Sequence, residues 1–206
     1  MAAQQNGLLV LASQSPRRRE ILQQLGLAFE VIVSAVDEPE REREAPEAYA
    51  LELASRKVAA VVERLSRERA ATHDGAFVLG ADTIVVVDDR VLNKPRDDEN
   101  AREMIGLLAG RFHEVITAVV LRQVGSALSK QIAVRTRVAF RALNEDEARR
   151  YVATGEGRDK AGSYAIQGIG TGIVRAIEGS HSNVVGLPAS ETIALLVEAG
   201  ALVSWP

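Results

Sequence analysis

The chain has 206 residues, of which 47% are hydrophobic and 26% charged, a mixture typical of a folded protein and not of a disordered one. Its 25 basic and 28 acidic residues give a net charge of -3, so binding to duplex nucleic acid or to an anionic membrane through overall positive charge is not expected. Cysteine is absent, which excludes disulfides, catalytic thiols, thiolate zinc sites and iron–sulfur clusters.

The sequence shows no segment typical of membrane targeting or insertion. No basic stretch followed by a long apolar stretch precedes the first predicted strand, so a secretory signal is not expected. The longest apolar stretch, Phe77 to Val87, is interrupted by Gly80, Asp82 and Thr83 and falls short of the ~18 residues of a membrane span. We therefore expect a cytoplasmic protein with neither a membrane nor a nucleic acid as its partner.

Predicted strands and helices alternate along the first half of the chain. Ser15 as an N-cap, followed by Pro16 at the first helical position, is a strong signal for the start of a helix. Apolar residues recur at helical spacing after Pro46, and Phe77–Val87 has the continuous apolar character of a buried strand. In chain order, the predicted elements are a strand at Leu8–Ala12, a helix from Pro16 to Gly26, a strand at Phe29–Val33, a helix from Pro46 to about Arg67, and a strand at Phe77–Val87 that turns into Arg90–Leu92.

The second half of the chain predicts an antiparallel part of the same sheet. Ser129–Arg141 alternates apolar and polar residues, as a strand with one wet face does. Asn144 and Glu147 form a capping-box pattern at the start of a helix. In chain order, the predicted elements are a helix from Asp97 to Gly110, strands at His113–Arg122 and Ser129–Arg141, a helix from Asn144 to Ala153, strands near Tyr164–Gln167 and Gly172–Ile177, and a helix from Ser190 to Ala199. The pattern indicates an α/β protein with a mixed sheet.

The first candidate site is the helix start at Ser13-Gln14-Ser15-Pro16-Arg17-Arg18-Arg19. Free backbone N–H groups and the positive end of the helix dipole meet there, and the arginines add forked donors, so the segment suits a phosphate. Basic residues in a first helical turn oppose the dipole, and selection for stability alone would avoid them. The alternative is a capped helix whose arginines are only solvated.

Two charged side chains fall within apolar stretches of the sequence. Asp82 lies in the middle of the apolar strand, where an unpaired buried carboxylate is costly. It is either a general base or metal ligand, or a structural carboxylate paired with an Arg or Lys. Lys57 falls in the apolar stripe of the long helix, so its ammonium either reaches solvent or points into a cleft.

Three further segments offer polar groups to such a site. The proline after Lys94 restricts that residue to an extended conformation, although a surface lysine in a turn is equally compatible. Asp37-Glu38 follow a predicted strand, and their carboxylates either hold Mg²⁺ or begin a solvated acidic loop. The glycine-rich segment from Asp159 to Gly168 suits close backbone approach to a ligand, and Gln167 there can recognise a base edge, unless the segment is only a hairpin.

Together these residues suit phosphate chemistry on a nucleotide with Mg²⁺, in which cations hold the phosphates and the metal polarises the reacting phosphorus. A histidine-based metal site is not indicated, because His73, His113 and His181 lie far apart and lack metal-ligand spacing. The sequence also lacks the P-loop and nucleophile-elbow motifs.

In this order and spacing, the motifs resemble those of the Maf family of nucleoside triphosphate pyrophosphatases, from about Leu8 to the final helix. The resemblance implies a single Maf-like domain over residues 1–206, of class α/β, with a mixed, strongly curved central sheet, flanking helices and a cleft between two lobes, similar to the inosine triphosphate pyrophosphatase fold. It implies hydrolysis of a nucleoside triphosphate to the monophosphate and pyrophosphate with a divalent metal, Mg²⁺ or Mn²⁺. The matching segments are Ser13-x-Ser15-Pro16-Arg17-Arg18, Asp37-Glu38, Lys57, Gly80-Ala81-Asp82-Thr83, Lys94-Pro95, Asp159-Lys160-Ala161-Gly162 to Gln167-Gly168, and Asn183 to Pro188.

The resemblance also implies roles for individual residues. Asp82 matches the family's proton acceptor, which activates the attacking water. Glu38 matches an acidic position of the motif and would hold the metal together with Asp82. The residues implied for binding the triphosphate are Ser13, Arg18, Lys57 and Lys94, and those implied for selecting the base are Arg17, Thr83 and Gln167.

The same three base-selecting residues resemble the subgroup that acts on dTTP and UTP, and differ from relatives that act on 7-methyl-GTP. Modified pyrimidine triphosphates are possible substrates of the same kind, and a homodimer is usual for such relatives. The competing hypothesis is a nucleotide-binding regulator of cell division or septum formation without physiologically relevant hydrolysis. The intact set of predicted catalytic residues favours the enzyme, because a binding module has no need of it.

Overall fold

The computed structural model describes residues 3–34, 36, 45–68 and 71–206. No helix in these ranges is long and apolar enough to cross a lipid bilayer. The helices are α1 (Pro16–Gln24), α2 (Pro46–Glu68), α3 (Asp98–Leu108), α4 (Glu145–Ala153), α5 (His181–Val185) and α6 (Ala189–Glu198). The strands are β1 (Gln4–Gln5), β2 (Leu9–Leu11), β3 (Glu30–Val31), β4 (Phe77–Val87), β5 (Arg90–Leu92), β6 (Phe112–Gln123), β7 (Ser129–Phe140), β8 (Val174–Glu178) and β9 (Leu202–Ser204).

Most strands belong to one open, mixed sheet of seven strands, with the order β3-β2-β4-β6-β7-β8 and with β5 paired to β4 outside this path. Strand β2 pairs in parallel with both β3 and β4, whereas β4, β6, β7 and β8 pair antiparallel with one another in turn. The predicted α/β class with a mixed sheet and flanking helices is confirmed. Strands β1 and β9 form a separate antiparallel pair, which the sequence pattern did not indicate.

Strand β4 carries polar groups into the core because its side chains alternate between two packed faces. Leu79 and Ala81 belong to the apolar cluster that includes residues of α1 and α6. Val78 and Ile84 belong to the cluster that includes the apolar face of α2. Asp82 has the same parity as Val78 and Ile84, so its carboxylate lies on the face that α2 covers.

Helix α2 approaches β4 closely at Gly80. A Cβ atom at this position would lie 2.5 Å from Cγ2 of Val58, so glycine leaves the space that the helix occupies. Val58 is fully buried and follows Lys57 directly in the chain. The close packing of α2 on β4 therefore brings the Lys57 side chain within reach of Asp82.

Most of the predicted elements are confirmed, with differences of a few residues at their ends. Strands β4 and β5 have the predicted bounds. Helix α4 begins with the predicted capping box, in which Oδ1 of Asn144 accepts from the Glu147 N–H at 2.9 Å and Oε2 of Glu147 accepts from the Asn144 N–H at 3.0 Å. Ser15 occupies the N-cap position of α1, but its side chain makes no capping hydrogen bond; its own N–H donates to the Ser13 hydroxyl at 3.2 Å.

The predicted strand at Tyr164–Gln167 is wrong. Gly162 and Ser163, just before it, have φ angles of 68° and 60°, and this left-handed backbone interrupts an extended strand. The Ala165 N–H donates to the Tyr151 hydroxyl at 3.1 Å instead of to a neighbouring strand. The segment is therefore an irregular loop between two 3₁₀ turns, at Ala161–Ser163 and Gly168–Gly172. Helix α5, which follows β8, was not predicted.

Candidate active site

A cleft of about 550 Å³ lies between the start of α1, the helix α2, strand β4 and the loop that precedes β8. This volume falls in the range of pockets that bind small molecules. The cleft is lined by every predicted site residue that the structure describes, namely Ser13, Arg17, Arg18, Lys57, Asp82, Thr83, Lys94 and Gln167. Glu38 and its neighbour Asp37 lie outside the described residues. The fold therefore collects in one place residues that come from both halves of the chain.

Asp82 and Lys57 form an ion pair on the floor of this cleft. The Lys57 Nζ donates to Oδ1 of Asp82 at 2.5 Å, and the two side chains are only 13% and 9% exposed. Asp82 is paired with a lysine, as the structural interpretation predicted. The pair also lines the cleft, where the predicted general base or metal ligand would have to lie. Lys57 points into the cleft and not to bulk solvent. The pair places an anionic acceptor and a cationic donor side by side.

Arg18 is a buried arginine whose guanidinium joins three parts of the chain. Its Nε donates to the carbonyl oxygen of Gly186 at 2.8 Å, and its Nη1 donates to the Ser13 hydroxyl at 3.1 Å. Its Nη2 donates to Oγ1 of Thr83, also at 3.1 Å. These contacts fix the plane of the guanidinium at the wall of the cleft, as recognition of a planar or tetrahedral anion requires.

Thr83 connects Arg18 to a buried network of polar groups. Its hydroxyl lies 2.9 Å from that of Thr117, which donates to the carbonyl oxygen of Asn183 at 3.0 Å. The fully buried Asn183 amide donates in turn to the carbonyl oxygen of Val115 at 3.1 Å. The Thr83 hydroxyl therefore helps to hold Arg18 in place, a contact that the sequence did not reveal. Its predicted part in base selection stays a prediction.

Arg17 lines the cleft next to Arg18. Its Nε donates to the carbonyl oxygen of Val185 at 3.3 Å, and its Nη1 is 4.0 Å from Oδ2 of Asp159. Burial acts to raise the pKa of Asp159, but the hydrogen bond from Lys160 and the charges of Lys160 and Arg17 outweigh burial, and the pKa is lowered. Lys160 lines the cleft as well; it belongs to a motif noted in the sequence, but no role was predicted for it.

Lys94 and Gln167 are exposed side chains at the rim of the cleft. The loop that carries Lys94 is joined to the opposite loop, because the Gly162 N–H donates to the carbonyl oxygen of Asn93 at 3.1 Å. Both side chains are accessible to a ligand that enters the cleft. Neither is packed into the core, as expected of residues that contact a soluble molecule.

The described residues contain no group of three or more His, Cys, Asp or Glu side chains placed to hold a metal ion. The acidic residues that line the described part of the cleft are Asp82 and Asp159. Mg²⁺ is usually held by one or two carboxylates together with phosphate oxygens of a substrate, and not by a cage made of protein groups alone. The donor chemistry of the cleft therefore fits a divalent cation that is shared with a bound polyphosphate.

Behind the cleft, His113, Phe140 and Tyr164 form a buried aromatic cluster with edge-to-face contacts. Nε2 of His113 lies 2.8 Å from the Tyr164 hydroxyl, and Tyr164 also lines the cleft. No described residue forms a hydrogen bond with the buried Nδ1 of His113. Burial lowers the pKa of His113 to about 4, so the imidazole is neutral at pH 7 and supports Tyr164 without a charge.

We expect this histidine to make the fold less stable in acid. The folded-state pKa lies below the usual value near 6.5, so the unfolded chain binds the proton more readily between these two values. The contribution of the neutral His113 to the free energy of unfolding is then fully present above pH 6.5. It falls as the pH drops toward 4, by up to about 1.4 kcal/mol per pH unit. Urea unfolding at pH 7 and pH 5 measures this slope. His113→Gln should reduce it, whereas the same substitution at the exposed His181 should not; equal slopes in both variants would contradict the assignment.

A buried carboxylate–lysine pair beside a fixed arginine at a helix start is an arrangement that suits a small phosphorylated molecule. A family model described as Maf-like protein matches residues 8–199. The chain therefore belongs to the Maf family, as its motifs predicted.

Relatives with curated names match almost the full chain. The dTTP/UTP pyrophosphatase of Anaeromyxobacter sp. (strain Fw109-5) is 49% identical over 200 residues, which are 96% of this chain and 92% of that protein. The protein of the same name from Myxococcus xanthus is 48% identical, over 96% of this chain and 95% of that protein. The one from Shigella boydii is 45% identical, over 94% of each chain. Among solved structures, the Staphylococcus aureus Ham1 protein aligns over 94% of this chain and 93% of its own, with 10% identity and a TM-score of 0.41.

Proposed function

We propose that this protein is a nucleoside triphosphate pyrophosphatase that hydrolyses dTTP and UTP to the monophosphate and pyrophosphate. The observation that carries the proposal is the Asp82–Lys57 pair, at 2.5 Å, in a cleft that also contains Arg18 and the start of α1. The names of relatives that are 45–49% identical over nearly the whole chain support the same activity. Modified pyrimidine triphosphates are included in the proposed substrate class.

In the proposed reaction, water attacks the α-phosphorus. A bond forms between the water oxygen and phosphorus, the α–β anhydride bond breaks, and pyrophosphate leaves. Asp82 would accept the proton of the attacking water, because it is the buried carboxylate that the fold directs into the cleft. Lys57, held beside it, would stabilise the negative charge that develops on the phosphate oxygens.

We propose that Ser13, Arg18 and Lys94 bind the remaining triphosphate oxygens. The fixed guanidinium of Arg18 supplies a donor of defined direction, and the exposed Lys94 supplies a positive charge at the rim. Arg17, Thr83 and Gln167 would select the base, and the exposed amide of Gln167 can both donate to and accept from a pyrimidine edge.

A divalent cation, Mg²⁺ or Mn²⁺, is part of the proposal. Asp82 would hold it together with oxygens of the triphosphate, and Glu38 is proposed as a further ligand from the sequence alone. When bound, such a cation neutralises charge on the leaving pyrophosphate.

The remaining features of the proposal concern the protein as a whole. Residues 1–206 would act as one Maf-like domain with two lobes around the cleft. A homodimer and a cytoplasmic location are proposed on the same grounds as in the sequence analysis. No described feature favours a second function over hydrolysis.

The test is a panel of nucleoside triphosphates incubated with the purified protein and Mg²⁺, with release of pyrophosphate and monophosphate measured. Turnover of dTTP and UTP, with little from ATP, GTP or 7-methyl-GTP, is expected. Turnover of 7-methyl-GTP alone would keep the class of reaction but overturn the assignment of the base-selecting residues. Tight binding without turnover of any nucleotide would instead support the regulator.

A further inference from the structure

The Glu156 carboxylate lies at the centre of the loop that carries Gln167. Its Oε1 accepts from the Ile169 N–H at 2.8 Å, and its Oε2 accepts from the Gly170 N–H, also at 2.8 Å. The hydroxyl of Tyr151 donates to the same Oε2 at 3.0 Å. One carboxylate therefore binds two successive backbone N–H groups and one phenol.

Tyr151 connects the other end of the same loop to this carboxylate. Its hydroxyl accepts the N–H of Ala165 at 3.1 Å while it donates to Glu156. Burial, together with the neighbouring Glu156, raises the pKa of the Tyr151 phenol, so the hydroxyl keeps the proton that it donates. The Glu156–Tyr151 pair therefore holds the loop at Ala165 on one side and at Ile169 and Gly170 on the other.

Gln167 lies between these two attachment points, and the loop is shaped to fit the carboxylate. Gly168 has a φ of +69°, and a Cβ atom there would lie 2.1 Å from Oε1 of Glu156. A Cβ at Gly170 would lie 1.9 Å from the carbonyl oxygen of Ala165. Glycine at both positions therefore allows the backbone that follows Gln167 to pass close to Glu156 and to the Ala165 carbonyl group.

We infer that Glu156, acting with Tyr151, is a positioning residue that sets where the Gln167 amide meets the base and thereby determines the preference for pyrimidine nucleotides. This inference rests on the proposed function, in which Gln167 recognises the base. Glu156 is not among the residues that line the cleft, so it acts through the loop and not by contact with substrate.

Two substitutions test the inference. Glu156→Gln keeps the size of the side chain but directs an NH₂ group at one of the two backbone N–H groups. Tyr151→Phe removes only the hydroxyl that joins Ala165 to Glu156, and it is the milder change if the first variant folds poorly. Leu65→Ala serves as a control for general destabilisation, because Leu65 is buried in α2 two helical turns beyond Lys57.

The decisive readout is the preference of the protein for non-hydrolysable dTTP over non-hydrolysable ATP, measured as a ratio of Kd values. We expect the Kd for the ATP analogue divided by the Kd for the dTTP analogue to fall ~10-fold in Glu156→Gln and in Tyr151→Phe, but not in Leu65→Ala. The reason is that a misplaced polar group discriminates less well in favour of the ligand it recognises. With dTTP as substrate, KM should rise much more than kcat falls.

The double variant Glu156→Gln with Gln167→Ala separates positioning from a general structural role. If Glu156 acts through Gln167, its substitution should have little further effect on the Kd ratio once the amide is gone. A Glu156→Gln effect that persists undiminished in that background, or a Kd ratio unchanged in both single variants, would overturn the inference. Failure of the proposed hydrolysis would appear separately, as absence of pyrophosphate release from dTTP and UTP by the unsubstituted protein.

Discussion

Asp82→Asn should lower kcat for dTTP by ~10²–10⁴, because a general base contributes about this much to a rate. Binding of the nucleotide should stay measurable, because the other residues proposed to bind the triphosphate remain. Asparagine has the same shape but cannot accept the proton of the attacking water. Single-turnover release of pyrophosphate measures the chemical step, and calorimetry with a non-hydrolysable dTTP analogue measures binding.

The matched control for this substitution is Asp159→Asn. Asp159 also lines the cleft but is largely exposed, with 67% of its side chain accessible. Asp159→Asn should therefore lower kcat by no more than about tenfold. Full turnover by the Asp82→Asn variant would contradict the proposed mechanism. In cells, a biological effect that survives this substitution would support the binding regulator, whereas its loss would support hydrolysis.

Lys57→Met should destabilise the fold by about 3 kcal/mol, because the loss of one member of a largely buried ion pair leaves the other charge without that partner. Methionine keeps most of the length of the side chain and removes only the ammonium. The free energy of unfolding in urea at pH 7 measures the effect. Turnover should also fall, by ~10², because the charge beside the reacting phosphate is lost.

A double-mutant cycle distinguishes the ion pair from general packing. In the Asp82→Asn background, Lys57→Met should cost about 1 kcal/mol or less, because the Asp82 carboxylate that pairs with the ammonium is then absent. The same cost in both backgrounds would show that the pair contributes only packing. Arg56→Met is the control on the same helix, since Arg56 is 41% exposed and its loss should change stability by at most about 0.5 kcal/mol.

The sequence predicted the elements that depend on local patterns. The apolar run of β4 and the capping box of α4 have the predicted positions, because side-chain burial and hydrogen bonds between near neighbours determine both. Lys57 and Asp82 could be singled out because each is a charged residue in an apolar pattern. That they contact each other could not be predicted, since the contact depends on the approach of α2 to Gly80.

Other parts of the site depend on contacts between residues that are distant in the chain. The loop near Tyr164 resembled a strand, but its backbone N–H groups are satisfied by Tyr151 and Glu156. Hydrogen bonds of this kind leave no periodic pattern of apolar and polar residues in the sequence. The link from Arg18 to Gly186 likewise joins residues 168 positions apart, and only the motif order hinted that the two segments belong to one site.

The parallel pairing of β2 with strands on both of its sides has a consequence for where the cleft lies. The chain leaves β2 toward β3 on one side and returns to β4 on the other, which makes the carboxyl end of β2 a topological switch point, where α/β sheets bind ligands. The end of the cleft at the start of α1 therefore lies where chain connectivity places it, whereas Gln167 is carried by a separate loop between α4 and β8. Under the proposed function, substitutions in that loop would change base preference while the Asp82–Lys57 pair stays unchanged.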